Sequence, residues 1–293
     1  MAAHPGSNGS KAKAAKLRVF RGTAAGGDFQ NYEVETYPGM VVLDAIHDIQ
    51  AKQSPDLAVR WNCKAGRCGS CSAEVNGKPR LMCMTRMSAY PEGEPITVTP
   101  MRAFPIIKDL VTDVSWNFEM AKKIPPFKPR PRDADGNWRM QQIDIDRIQE
   151  FRKCIECFLC QNVCHVVRDH QKKEVFSGPR FLIHLATLDM HPLDTLDRRE
   201  MVKRDFGVGF CNITKCCTEV CPEHITITDN GIIPLKERIA DDHYDPVRWL
   251  LRKVAGKPRA HKVPAQPTEA GKTADISGRH RVDGGNGKGE LER

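Results

Sequence analysis

Residues 154–164, CIECFLCQNVC, place four cysteines in eleven positions, and no other stretch limits the fold so strongly. The chain's twelve cysteines fall into three groups of four: 63, 68, 71 and 83; then 154, 157, 160 and 164; then 211, 216, 217 and 221. A disulfide framework would usually join distant segments. Clustered cysteines in a cytosolic chain point instead to metal or redox chemistry.

The first group reads CKAGRCGSC followed by Cys83, the C-x4-C-x2-C spacing of a plant-type [2Fe–2S] site. Cys63, Cys68 and Cys71 must turn inward from one loop, and Gly66 and Gly69 permit the tight backbone approach this needs. The fourth thiol, Cys83, arrives from a hairpin turning at Asn76-Gly77. A zinc ribbon is the competing reading, but it takes two separated C-x2-C pairs. The second group is the C-x2-C-x2-C-x3-C run of bacterial ferredoxins, in which the fourth cysteine ligates the other cluster. The third, CNITKCCTEVCP, matches that run with Cys211, Cys217 and Cys221-Pro222, but Thr214 stands at its second position. Crossing the fourth cysteines predicts a [4Fe–4S] site from Cys154, Cys157, Cys160 and Cys221. It also predicts a [3Fe–4S] site from Cys164, Cys211 and Cys217. Cys216 reads as a small buried hydrophobe or as a substitute fourth ligand, and its adjacency to Cys217 favours the former. Three one-electron centres in series make a wire.

Around these groups the pattern is α+β. KLRVFRG (16–22) and NYEVETY (31–37) have strand composition, YPGM is a turn, and Val42, Ile46 and Ile49 share a helical face. DLAVRW (56–61) reads as a short strand, SAEVNGKPRLMCM as a hairpin and PITVTPM as another strand. The expected architecture is a β-grasp [2Fe–2S] domain over 16–103, followed by a mainly α-helical bacterial-type ferredoxin domain over 104–255. In the second domain, 106–122 is expected to be helical, with Trp116 and Phe118 packing or docking. Residues 123–137 read as a proline-rich linker or surface arm. Helices are expected before the second cysteine group, over 178–191 and near the end. Residues 1–15 and 256–293 read as disordered tails.

The formal charge is +8. Four unopposed cations lie in 11–18, and from Gly256 onward basic residues exceed acidic ones by three. Basicity concentrated at the ends argues for solvated tails rather than a nucleic-acid groove, although weak attraction to an anionic membrane surface fits as well. No apolar run is long enough for a spanning helix, and the first sixteen residues do not form a secretory signal. No catalytic acid, nucleophile or nucleotide loop stands out; GVGF (207–210) is too short to cradle phosphate.

NCKAGRCGSC with Cys83, CIECFLCQNVC and CNITKCCTEVCP, in that order, resemble the iron–sulfur subunit of succinate dehydrogenase and fumarate reductase over about residues 16–255. The resemblance implies an FAD-bearing catalytic partner subunit and a membrane anchor serving quinone. It implies electron flow from flavin through [2Fe–2S], [4Fe–4S] and [3Fe–4S] to quinone, or the reverse for fumarate reduction. It also implies a peripheral position on the cytoplasmic face of the bacterial inner membrane. The chain departs from ubiquinone-type members by carrying His165 for Pro, Asp169 for Trp and Asn212 for His, which shifts the expected quinone type or site. His165 and His170 read as interface histidines or as tuning groups. Arg60 and Trp61 read as core packing or flavoprotein contacts, and DPVRWLLRK as a core-closing or membrane-facing helix. The alternatives are an iron–sulfur subunit of another flavoprotein complex and a zinc-stabilised nucleic-acid-binding protein.

Overall fold

The computed structural model describes residues 13–247 together with Leu250 and Val254. Residues 1–12 and 256–293, read as tails, lie outside the described residues, as does most of DPVRWLLRK.

The N-terminal half is built on a mixed five-stranded sheet. Strands β1 (Lys13–Thr23), β2 (Gly26–Thr36), β3 (Ser72–Val75), β4 (Lys78–Leu81) and β5 (Ile96–Thr99) are ordered β2-β1-β5-β3-β4. β1 runs antiparallel to β2 and parallel to β5, and the other neighbours are antiparallel. Alternation buries Leu17 and Val19 on β1 and Tyr32 and Val34 on β2, as a one-sided sheet requires. β1 takes in Lys13–Ala15, which composition alone placed in the tail. They pair with Val34–Thr36 and so cover what would be a bare strand edge. Helix α1 (Val42–Lys52) buries Val42, Leu43, Ala45, Ile46 and Ile49. Each Val, Leu or Ile of this face contributes roughly 1.5–3 kcal/mol through burial. α1 packs on β2 and on the 3-10 turn Met82–Met84 that carries Cys83.

Two local expectations fail. DLAVRW forms no strand, because its backbone bonds leave the sheet: Ala58 N–H donates to Asp109 Oδ2 at 2.9 Å, and Gln50 Nε2 donates to the Leu57 carbonyl at 2.7 Å. Residues 106–122 are not one helix. They form the strand pair β6 (Ile106–Lys108) and β7 (Val111–Thr112), then helix α2 (Ser115–Lys122). Asp109 sits at φ 49° between the strands, and its carboxylate accepts from Gly22 and Ala58 N–H. Those bonds tie the turn to the first sheet and exclude a helical course. α2 begins only where the Asp113 carboxylate accepts from Ser115 N–H at 2.9 Å.

The rest is helical: α3 (Gln142–Gln149), α4 (Leu159–Val163), α5 (His165–Arg168), α6 (Pro179–Asp189), α7 (Arg199–Arg204), α8 (Cys216–Glu219) and α9 (Ile233–Tyr244), with a π-helical turn at Ile227–Ile232. Among the described residues no helix is long and apolar enough to cross a membrane. The proline-rich segment is an arm fastened to the 193–198 loop. Arg130 N–H donates to the Leu193 carbonyl at 2.9 Å, and buried Arg198 donates to the Pro125 and Pro126 carbonyls.

Candidate iron–sulfur sites

The loop bearing Cys63, Cys68 and Cys71 closes on itself through left-handed residues Lys64, Gly66 and Gly69. Ala65 and Arg67 N–H donate to Cys63 Sγ at 3.4 and 3.2 Å, so the backbone already points donors at sulfur. Met82 N–H donates to the Cys71 carbonyl at 3.1 Å and brings Cys83 beside Cys71. Burial pushes the Cys71 thiol up to about 12, and Cys83 adds to that shift through its side chain. At Cys68 burial acts upward too, but hydrogen bonds from Ser70 and Cys63 outweigh it and leave the thiol at about 7. The structure thus gathers the four cysteines of the first group together.

The other two groups repeat one backbone figure. After Cys154, the residues at the second and fourth following positions, Glu156 and Phe158, have φ of 56° and 59°; after Cys211, Ile213 and Lys215 each have φ of 62°. A short helix follows each loop, α4 and α8, and the two helices pack together. The repeat sets Cys160 against Cys217, Cys164 against Cys221, Cys157 against Thr214 and Cys216 against Leu159. Cys216 therefore occupies a position filled in the other loop by a buried leucine. Its Sγ lies 3.5 Å from Thr214 Oγ1.

The cysteines exchange between the loops. Cys154, Cys157, Cys160 and Cys221 line one small, mostly apolar cavity that also meets Arg180 and Ile183. Burial pushes Cys157 up to about 12, and Cys154 and Cys221 reinforce the shift. Cys160 is driven well above the usual thiol range by burial, then by Cys157, Cys154, Cys217 and Cys221. Cys217 is raised by burial to about 11, with the Thr228 hydroxyl opposing and Cys211 and Cys164 adding. Cys164 is raised by burial and by Cys211 and Cys216, against Val166 and Val167 N–H groups. Cys221 is raised by burial, against the Ile225 and Glu223 N–H groups, with Cys154 adding. Buried thiols that repel one another as thiolates need a cationic centre among them, and this donor set fits iron–sulfur clusters. No disulfide forms among the twelve.

The loops of the first and second groups touch through their backbones. A Cβ on Gly69 would fall 2.5 Å from Cys157 Cα. The Ser72 hydroxyl bridges the Gly69 carbonyl at 2.8 Å and the Cys157 carbonyl at 2.9 Å. Arg67 pairs with Glu223 at 3.3 Å. Behind them buried Glu74 accepts from Arg102 Nε at 2.8 Å and from Asn162 Nδ2 at 2.9 Å. Ser72, Glu74, Asn162 and Arg180 were not singled out by sequence reasoning. Arg180, a cation in the apolar run GPRFLIHL, carried a visible signal. At the far end His165 Nε2 lies 2.6 Å from Asn212 Nδ2, and His170 packs edge-on at 5.8 Å. Two of the three departures from the ubiquinone-type pattern are thus neighbours. Trp61 is 49% exposed beside Cys63, with His47 edge-on at 4.7 Å and the Lys64 ammonium over its ring at 4.8 Å. Arg60 donates to the Thr112 carbonyl at 2.9 Å.

A family model described as a 2Fe-2S iron-sulfur cluster binding domain matches residues 16–119, and one described as a 4Fe-4S dicluster domain matches 150–225. The fumarate reductase iron-sulfur subunit of Mycobacterium tuberculosis is 33% identical over 205 residues, covering 67% of this chain and 80% of that protein. The chain belongs to the succinate dehydrogenase/fumarate reductase iron–sulfur subunit family. The fumarate reductase iron-sulfur subunit of Wolinella succinogenes is 30% identical, covering 72% of this chain and 87% of that protein. A chain of the Mycobacterium smegmatis Sdh1 complex in its apo form superposes with a TM-score of 0.78 at 66% identity, covering 80% of this chain and 99% of that one. As an iron–sulfur subunit of this family the chain transfers electrons, with a [2Fe–2S]-type domain preceding a [4Fe–4S]-type domain in an α+β fold.

Proposed function

We propose that the chain serves a succinate:quinone oxidoreductase, carrying electrons from the FAD of a catalytic partner subunit to quinone in a membrane anchor. The 66% identity to a chain of the Sdh1 complex favours this over a fumarate reductase working in the opposite direction. The first domain is read as a plant-type β-grasp ferredoxin whose [2Fe–2S] cluster is held by Cys63, Cys68, Cys71 and Cys83. The second is read as a bacterial-type ferredoxin. There Cys154, Cys157, Cys160 and Cys221 hold [4Fe–4S], and Cys164, Cys211 and Cys217 hold [3Fe–4S]. The subunit lies peripherally on the cytoplasmic face of the bacterial inner membrane.

One observation carries the cluster assignment: Cys221 lines the cavity of the 154–160 cysteines, while Cys164 and Cys211 bear on Cys217. Such clusters accept and release single electrons. The chain's own residues fix the centres in series, with Gly69 and Ser72 seating the first loop on Cys157 and α4 seated on α8. Thr214 provides the test. Thr214→Cys restores a thiol at the position matching Cys157, so the oxidised three-iron paramagnetic signal should give way to a four-iron one in the purified complex. Persistence of the three-iron signal would refute the alignment. Comparing succinate oxidation with fumarate reduction in the unaltered complex tests the direction.

A further inference from the structure

Arg180 is a charge that electron transfer alone leaves unexplained. It is the second residue of α6, an eleven-residue helix, and the N-terminal end of a helix dipole disfavours a cation. It is only 8% exposed. A cation withdrawn from water is costly unless an opposite charge lies near. Its Nη2 donates to Glu156 at 2.5 Å, but the Glu156 side chain is 54% exposed and screened by solvent. Its Nε is buried with no hydrogen-bond partner among the described residues. The side chain lines the same cavity as Cys154, Cys157, Cys160 and Cys221. One turn along α6 the His184 imidazole is held below its ordinary range, first by burial and then by the Arg180 charge. The guanidinium charge reaches its neighbours, opposed in part by the more exposed Glu156.

We propose that Arg180 sets the reduction potential of the centre held by Cys154, Cys157, Cys160 and Cys221, through a fixed positive charge and an available Nε–H donor at its edge. The inference rests on the four-iron reading above. Reduction adds one electron to the centre, with no bond made or broken and no proton moved. A buried cation stabilises the more negative, reduced state, and a hydrogen bond toward sulfur acts in the same direction. Glu156 acts with the opposite sign, weakened by its exposure.

The test is a redox titration of the whole purified complex, following the paramagnetic signal of the reduced four-iron centre. Arg180→Gln should lower the midpoint by at least about 59 mV, the one-electron equivalent of a tenfold change in equilibrium constant. Arg180→Lys keeps the charge and should recover most of that shift. Glu156→Gln should move the midpoint upward, and by less. A role confined to holding the loop predicts otherwise: both substitutions break the same ion pair, so both should disturb the centre in one direction. An unchanged midpoint in Arg180→Gln, or shifts of the same sign in Arg180→Gln and Glu156→Gln, overturns the proposal. Should Arg180→Gln not assemble the centre, Glu156→Gln decides, and a midpoint unmoved or lowered there overturns it. Loss of the cluster reading itself would show separately, as the lack of any four-iron signal in the unaltered complex.

Discussion

Three glycines with the same left-handed backbone differ in what surrounds them, and alanine at each should separate conformational strain from close approach. Gly77, at φ 73°, has nothing within 4 Å of the place a methyl group would occupy. Gly77→Ala therefore carries only the left-handed penalty of roughly 1–2 kcal/mol. Gly66, at φ 68°, would meet Met84 Cγ at 2.9 Å. That side chain is 60% exposed and can swing away, so Gly66→Ala should resemble Gly77→Ala. Gly69, at φ 69°, would meet Cys157 Cα at 2.5 Å and its backbone N at 3.0 Å. Carbon atoms rest at about 3.5–4.0 Å, so one loop must retreat by about 1 Å. Overpacking adds about 1–3 kcal/mol. In a domain of about 90 residues each kcal/mol lowers an unfolding midpoint by about 4–8 °C. Thermal bleaching of the two-iron visible absorbance in the anaerobic complex reads the series. Gly69→Ala should bleach well below the other two, or fail to hold its cluster. If Gly69→Ala and Gly77→Ala bleach together, the direct seating of the first loop on Cys157 is wrong.

Arg198→Leu would strand the Asp194 carboxylate, whose side chain is 1% exposed, and leave the Pro125 and Pro126 carbonyls without their donor. Breaking a buried pair from one side costs about 3–5 kcal/mol, and limited proteolysis should show faster cutting in the 125–138 arm; unchanged cutting would refute the fastening. His184 adds a pH dependence. Its folded pKa lies below the unfolded value of about 6.5, so the unfolded chain takes up the extra proton. The stability of the neutral form is complete above about pH 6.5 and is lost as pH falls toward the folded value. His184→Leu should flatten that decline in unfolding midpoint between about pH 7.5 and 5.5, and an equal slope in both proteins would exclude the residue as its source.

The cysteine runs stand out in the sequence because ligand spacing is local, and the same rule proposes the pairing of Cys221 with the earlier run, whose cavity it lines. Strand pair β6–β7 could not, because Ile106, Ile107, Leu110, Val111 and Val114 recur at helical spacing. What forbids the helix is the Asp109 carboxylate, which binds Gly22 and Ala58, 87 and 51 positions away. DLAVRW has strand composition, but its partners are a side chain of α1, that same carboxylate and the neighbouring 110–112 backbone. The seating of Gly69 on Cys157 depends on two distant loops meeting, and nothing near either one announces it. Glu74 lies in a short strand, and its burial is balanced by Arg102 and Asn162, 28 and 88 positions later.

In the ligand sets proposed above, Cys164 and Cys221 trade places between loops 57 positions apart, so neither set in the helical half is complete on a single stretch of chain. During synthesis the earlier run must wait for the later one. Filling either centre then staples the same two segments, so loading the first organises the pocket for the second and chelating one loosens both. Under the proposed ligand sets, maturation of the helical half is expected to be one cooperative event rather than two independent insertions.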